Sequence, residues 1–161
     1  MLIDAVVINA SPLITLFRSG QADLLPRLFS RILIPDAVWQ EVVADARDDA
    51  AARGLVHQTW PIRDQTIVSE RVAAWNLGAG ETSVLSQALA NPPLRAVIDD
   101  ADARRCARTL GIQMLGTGGL LVLAKRRGLL VSVTTGLDRL RDAGLWISDE
   151  LIERLKTQAG E

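Results

Sequence analysis

Cysteine, histidine and lysine are scarce in this 161-residue chain, and so are long apolar runs. A lone cysteine, Cys106, excludes a disulfide framework and points to a reducing, cytoplasmic home. It lies in a helical stretch with no histidine near it, which suits a small buried hydrophobe. The single histidine, His57, has no second His or Cys at ligand spacing, so it reads as structural or exposed. Only Lys125 and Lys156 are lysines, and the other cations are arginines. Arginine favours bidentate phosphate contacts, but an arginine-rich codon usage gives the same bias. The net charge of −1 supplies no global basic field for nucleic acid. No apolar run reaches the ~18 residues of a membrane span, and MLIDAVVIN lacks the basic n-region of a signal peptide. After the first strand, NASPLI carries neither GxGxxG nor GxxxxGK, which disfavours a dinucleotide or P-loop fold.

What is present suits one compact domain with a sizeable core. Hydrophobic residues make up 48% of the chain and the mean hydropathy is +0.19, so long disorder is not expected. Short apolar runs at AVVIN, RILIP, RAVID and IQMLG read as strands. Helical periodicity fills SPLITLFRS, QADLLPRLF, PDAVWQEVVADA, GETSVLSQALA and DADARRCARTLG. This alternation predicts an α/β fold with a parallel sheet covered on both faces. Asp48 to Gln65 is less regular and is expected to be a loop with one extended piece. Beyond Thr117 the chain is helical again through GLLVLAKRRG, VTTGLDRLRDAG and SDELIERLKTQ. The expected division is a core over residues 1–118 and a helical C-terminal appendage over 119–161, within one domain. There is no internal repeat and no low-complexity linker.

Candidate functional residues fall where strand ends and first helical turns should meet the ligand crevice of an open sheet. Asn9 ends the first strand. Glu41 lies in the helix after Pro35, with Trp39 and Val42 expected to face the core. Glu81 opens a helix after LGAG, whose glycines permit a sharp turn, and Asp99 and Asp100 end the strand RAVI. Acids drawn from separate elements can hold a hard divalent cation. Each also has a plain structural role: Glu81 at a helix N-terminus, Asp100 and Asp102 as helix caps, Glu41 as an exposed helix acid.

Taken in order, NASPLITLFRSGQADLLPRLFSRILIPDAVWQEVV, LGAGETSVLSQALA, VIDDADARRCARTLGIQMLGTGGLLVLAKRRG and GLWISDELIERL resemble the PIN-domain proteins, in the VapC-like branch of bacteria and archaea. The resemblance covers nearly the whole chain and implies a three-layer α/β/α fold. It also implies a Mg²⁺- or Mn²⁺-dependent ribonuclease. By resemblance Asn9 takes the first acidic position, Glu41 the second, Glu81 the third and Asp100 the fourth, with Asp99 beside it. Ser11 resembles the small hydroxyl residue after the first position, and Thr117 lies in GTGG, a turn of this branch, where the resemblance implies that it lines the substrate site or caps the following helix. The departure is Asn9: an amide oxygen can coordinate a hard cation but brings no charge, so metal affinity should fall.

That chemistry predicts a cation that polarises the phosphate and a carboxylate that orients the water. Arg104 and Arg108, one turn apart, are candidates to hold the substrate, as are Lys125, Arg126 and Arg127. The resemblance implies RNA as substrate, a small antitoxin as inhibitor and a homodimer. The tail's Leu120, Leu121, Leu123, Leu145, Trp146 and Ile147 are expected to pack on the core or across that dimer. Two other readings compete: a PIN fold kept as a nucleic-acid- or protein-binding module, motivated by Asn9, and an aspartyl-phosphate protein. The latter needs an Asp nucleophile where the first strand ends in Asn.

Overall fold

Ile3–Ile8 forms β1, the central strand of a five-stranded sheet. The computed structural model describes residues 3–44 and 49–161. Val6, Val7 and Ile8 are fully buried, as expected of a strand covered on both faces. Around β1 lie β2 (Phe29–Pro35), β3 (Pro61–Asp64), β4 (Arg95–Val97) and β5 (Met114–Leu115), in the order β3-β2-β1-β4-β5. All four pairings are parallel. One row of partners, Ile62, Leu33, Val7, Ala96 and Met114, crosses the whole sheet.

The connecting helices are α1 (Ala10–Arg18), α2 (Leu24–Leu28), α3 (Asp36–Val43), α4 (Ala50–Leu55), α5 (Glu70–Ala73), α6 (Ala79–Ala90) and α7 (Ala101–Leu110). From β1 the chain steps outward to β2 and β3, then returns past β1 to β4 and β5. Right-handed crossovers place the helices of these two directions on opposite faces, giving three α/β/α layers. The reversal between β1 and β4 opens a crevice at their carboxyl ends.

The extended piece expected within Asp48–Gln65 is β3, on the sheet edge. The same segment also forms α4, where a loop was expected. Asp49 caps that helix by accepting the Ala51 N–H at 2.8 Å, and Ala51 and Leu55 are buried. Arg47 and Asp48 lie outside the described residues, as do Asp45 and Ala46 at the end of the expected PDAVWQEVVADA helix. Cys106 is buried, which pushes its thiol pKa up, and His57 is exposed.

The tail folds as α8 (Thr117–Arg126), α9 (Val133–Asp142) and α10 (Asp149–Gln158), which pack on one another, with α9 also meeting α1. Leu120, Leu121 and Ile147 are buried in the same apolar cluster as the sheet, and Leu123 and Leu145 pack against it. Trp146 does neither, being 85% exposed. No helix among the described residues is long and apolar enough to cross a membrane.

Candidate active site

Asn9 follows β1 and stands at the N-cap of α1. Its backbone N–H donates to the Val97 carbonyl at 3.1 Å, which locks the end of β1 against β4. An asparagine at this position ordinarily accepts a hydrogen bond from the first helical turn. Asn9 makes no such bond. Its Nδ2 donates instead to Glu81 Oε1 at 3.3 Å. The other side-chain atom, Oδ1, is buried without a hydrogen-bond partner. An orphaned buried acceptor costs about 1–3 kcal/mol unless something fills it.

Glu81 lies in the first turn of α6, and two glycines before it make the geometry possible. A Cβ on Gly78 would stand 2.6 Å from Glu81 Oε2, so a side chain there would push that carboxylate aside. A Cβ on Gly80 would lie 3.1 Å from Asn9 Oδ1 and 3.8 Å from Glu41 Oε2. Gly80 is therefore the spacer between the amide and the second carboxylate. Glu41 reaches this point from α3, which is anchored by buried Val38 and Val42. Its neighbour Trp39 is half-buried, with the Arg63 guanidinium 4.8 Å above its ring. Partial burial, and secondarily the Glu81 charge, raise the Glu41 pKa above its usual value.

Asp99 and Asp100 leave β4 into different surroundings. Thr117 holds both oxygens of Asp99: its N–H donates to Oδ1 at 2.9 Å and its hydroxyl to Oδ2 at 2.5 Å. Thr117 itself is fully buried at the start of α8. Beside this clamp, Arg104 Nη1 donates to the Ile98 carbonyl at 3.1 Å. Asp100 caps α7, its Oδ2 accepting the Ala103 N–H at 2.9 Å. Asp102 pairs with Arg105 on the exposed face of α7.

Among the described residues, no three His, Cys, Asp or Glu side chains converge as a metal cluster. What converges is two acids and an amide: Asn9, Glu41 and Glu81. Oxygen donors of this kind suit a hard divalent cation that keeps several waters. The orphaned Oδ1 and the Glu41–Glu81 repulsion are both relieved by such an ion, so these residues fit one.

A family model described as PIN domain matches residues 5–161. The chain belongs to the PIN-domain family. PIN domains in general are nucleases that depend on a divalent metal and act on nucleic acid. No curated protein matches the chain.

In this PIN domain Ser11 is exposed in the first turn of α1, and Arg108 is exposed on α7. Lys125 and Arg126 lie at the opposite end of α8 from Thr117, bonded to Glu161 and to the Gln158 carbonyl. They brace the tail; Arg127 is exposed at the same end. A cavity of 610 Å³ opens at the far ends of the strands, beside Ala5, Arg31 and Arg95. Among the described residues its one carboxylate, Asp64, accepts the Gln87 amide, so it offers no comparable donor set. Sequence reasoning noted the glycines of LGAG as a turn but missed Gly80 as a spacer and Thr117 as the clamp on Asp99.

Proposed function

We propose that this PIN-domain protein is a divalent-metal-dependent endoribonuclease that hydrolyses phosphodiester bonds in single-stranded RNA. One observation carries the reading: the buried, unpartnered Asn9 Oδ1 beside Glu41 and Glu81, at the carboxyl end of the central strand. Asn9, Glu41 and Glu81 hold the cation, Mg²⁺ or Mn²⁺. When bound, the ion polarises the phosphate and acidifies a water. Asn9 Nδ2 keeps Glu81 oriented. Asp99, held by Thr117, and Asp100, which caps α7, stand apart from these three beyond the end of β4 and are the further carboxylates assigned to orienting the attacking water. Ser11, Arg104 and Arg108 hold the RNA.

The order of NASPLI, LGAGETS and GTGG supports a VapC-like assignment. On it the chain is one PIN-like domain with a helical appendage over residues 119–161. It acts as the cytoplasmic toxin of a toxin–antitoxin pair, restrained by a small antitoxin and working as a homodimer. A solution mass of one chain would rule out the homodimer.

A second reading, a PIN fold that binds nucleic acid or protein with little catalysis, is favoured by two observations. The first ligand is neutral, and both oxygens of Asp99 are already engaged. Cleavage of a mixed single-stranded RNA pool in Mn²⁺, Mg²⁺ or EDTA separates the two. Metal-dependent cleavage that Glu81→Gln abolishes supports the nuclease. Silence of the native protein with activity in Asn9→Asp supports the second reading.

A further inference from the structure

Trp146 is 85% exposed, whereas Trp39, Trp60 and Trp75 pack against the core. An indole is a large apolar surface that usually finds a partner. Its loop is braced on both sides. The Leu145 N–H donates to the Leu140 carbonyl at 3.0 Å, and Arg141 Nη2 donates to the Ile147 carbonyl at 2.9 Å. Ile147 is buried, and Ser148 caps α10 by accepting the Leu151 N–H at 3.1 Å. The indole is therefore presented to solvent by a fixed backbone.

It lines a groove of 520 Å³ between the start of α8 and α10. At one end of the groove lie Asp99 and Arg104, next to the Thr117 clamp. Along it lie Trp146, Leu151 and Arg154. Among the described residues Arg154 meets only Glu150, at 3.4 Å, with both side chains more than half exposed, so its charge is available to a ligand. Arg104 spends one nitrogen on the Ile98 carbonyl. An open aromatic face flanked by guanidinium groups matches alternating bases and phosphates.

We propose that this groove binds single-stranded nucleic acid beside the cleavage site, with one base stacked on Trp146 and phosphates on Arg104 and Arg154. The proposal rests on the nuclease reading for the class of its occupant and makes Trp146 a positioning residue. The test is fluorescence anisotropy of the full chain with a labelled mixed-sequence RNA single strand in EDTA, where no cleavage is needed. Trp146→Ala should weaken binding roughly tenfold, while Trp146→Phe, which keeps an aromatic face, should stay within about threefold. Arg154→Gln should weaken binding and flatten its salt dependence. A base-paired version of the strand should bind less tightly, since its bases are not free to stack. Under Mn²⁺, Trp146→Ala should raise KM and leave kcat unchanged. Native binding that depends on Trp146 without any cleavage upholds the groove and removes the nuclease reading. Unchanged RNA affinity in Trp146→Ala, or no single-strand binding by the native chain, overturns the proposal. So does a Trp146→Ala variant that loses a dimer while binding RNA normally, because the indole then covers a protein surface.

Discussion

Asn9 turns its amide toward Glu81, Nδ2 to Oε1 at 3.3 Å, and leaves α1 without a side-chain cap. A cap of this kind contributes about 1 kcal/mol. Forgoing it makes sense where the side chain has other work, and the orphaned Oδ1 on the same residue indicates which.

Asn9→Asp puts the idea to a direct test. The variant replaces a donor to Glu81 by a third negative charge beside Glu41 and Glu81. In EDTA it should lose about 1–3 kcal/mol through repulsion and the missing hydrogen bond. With Mn²⁺ it should regain that loss, because bound metal stabilises by about 2.7 kcal/mol at a hundredfold excess over Kd. Thermal melts of both proteins with and without metal decide it. If neither melt responds to Mn²⁺, the oxygen set does not hold a cation.

Gly80→Ala probes the space between the ligands. Alanine within a helix ordinarily stabilises by up to about 1 kcal/mol over glycine, but Gly80 is buried. Here the new methyl stands 3.1 Å from Asn9 Oδ1 and 3.5 Å from Val38 Cγ2, so that gain is offset by local displacement. Stability should change little, while Mn²⁺ affinity, read by calorimetry, falls on the order of tenfold because the donors are pushed apart. Unchanged Mn²⁺ affinity would mean that the cation, if bound, sits elsewhere.

Thr117 is fully buried and clamps Asp99 through both its N–H and its hydroxyl. Thr117→Val keeps the shape and removes the 2.5 Å bond from the hydroxyl, leaving one oxygen of Asp99 short of a donor. It should cost about 1–3 kcal/mol in urea unfolding. Thr117→Ser retains the hydroxyl and loses one methyl, at about 1 kcal/mol. A valine variant no weaker than the serine variant would show that the clamp contributes little.

The central strands were legible because each carries a short apolar run that ends up buried, as Val6, Val7 and Ile8 do on both faces of β1. The edge was harder to read. β3 has only four residues, and Ile62 and Arg63 on it are exposed. α4 stayed hidden because AAARGL has no apolar period. Its Gly54 has a tertiary cause, since a Cβ there would stand 2.7 Å from Phe17 Cδ1. Asn9, Glu41 and Glu81 could be chosen by position, since strand ends and first turns converge in such a sheet. Partnerships across the chain could not: Thr117 lies 18 residues beyond Asp99. Glu161 is a further case, its carboxylate accepting from Lys125 and from the Val133 N–H, and the Lys125 contact first among several holds its pKa well below the usual range. Trp146 is another case. LWI reads as one apolar run, yet within the chain only Leu145 and Ile147 pack with the core, while Trp146 faces outward.

The ion pair between Arg18 and Asp49 gives a pH-dependent prediction remote from the site. Hydrogen bonding from Arg18 is the largest cause that lowers the Asp49 pKa from its ordinary 3.8. A carboxylate with a depressed folded value stabilises fully above the unfolded value, and that contribution disappears as pH falls through the folded one. Asp49→Asn keeps an oxygen able to cap α4 through the Ala51 N–H, so it isolates the charge. Arg18 is about half exposed, which limits the pair to roughly 0.5–1 kcal/mol. In urea titrations the variant should therefore be less stable by about that amount near neutral pH. The two proteins should converge as acid protonates Asp49 below 3.8. High salt at neutral pH should shrink the same difference by screening. A difference that persists unchanged into acid would assign the loss to the cap, because capping by a neutral amide does not titrate.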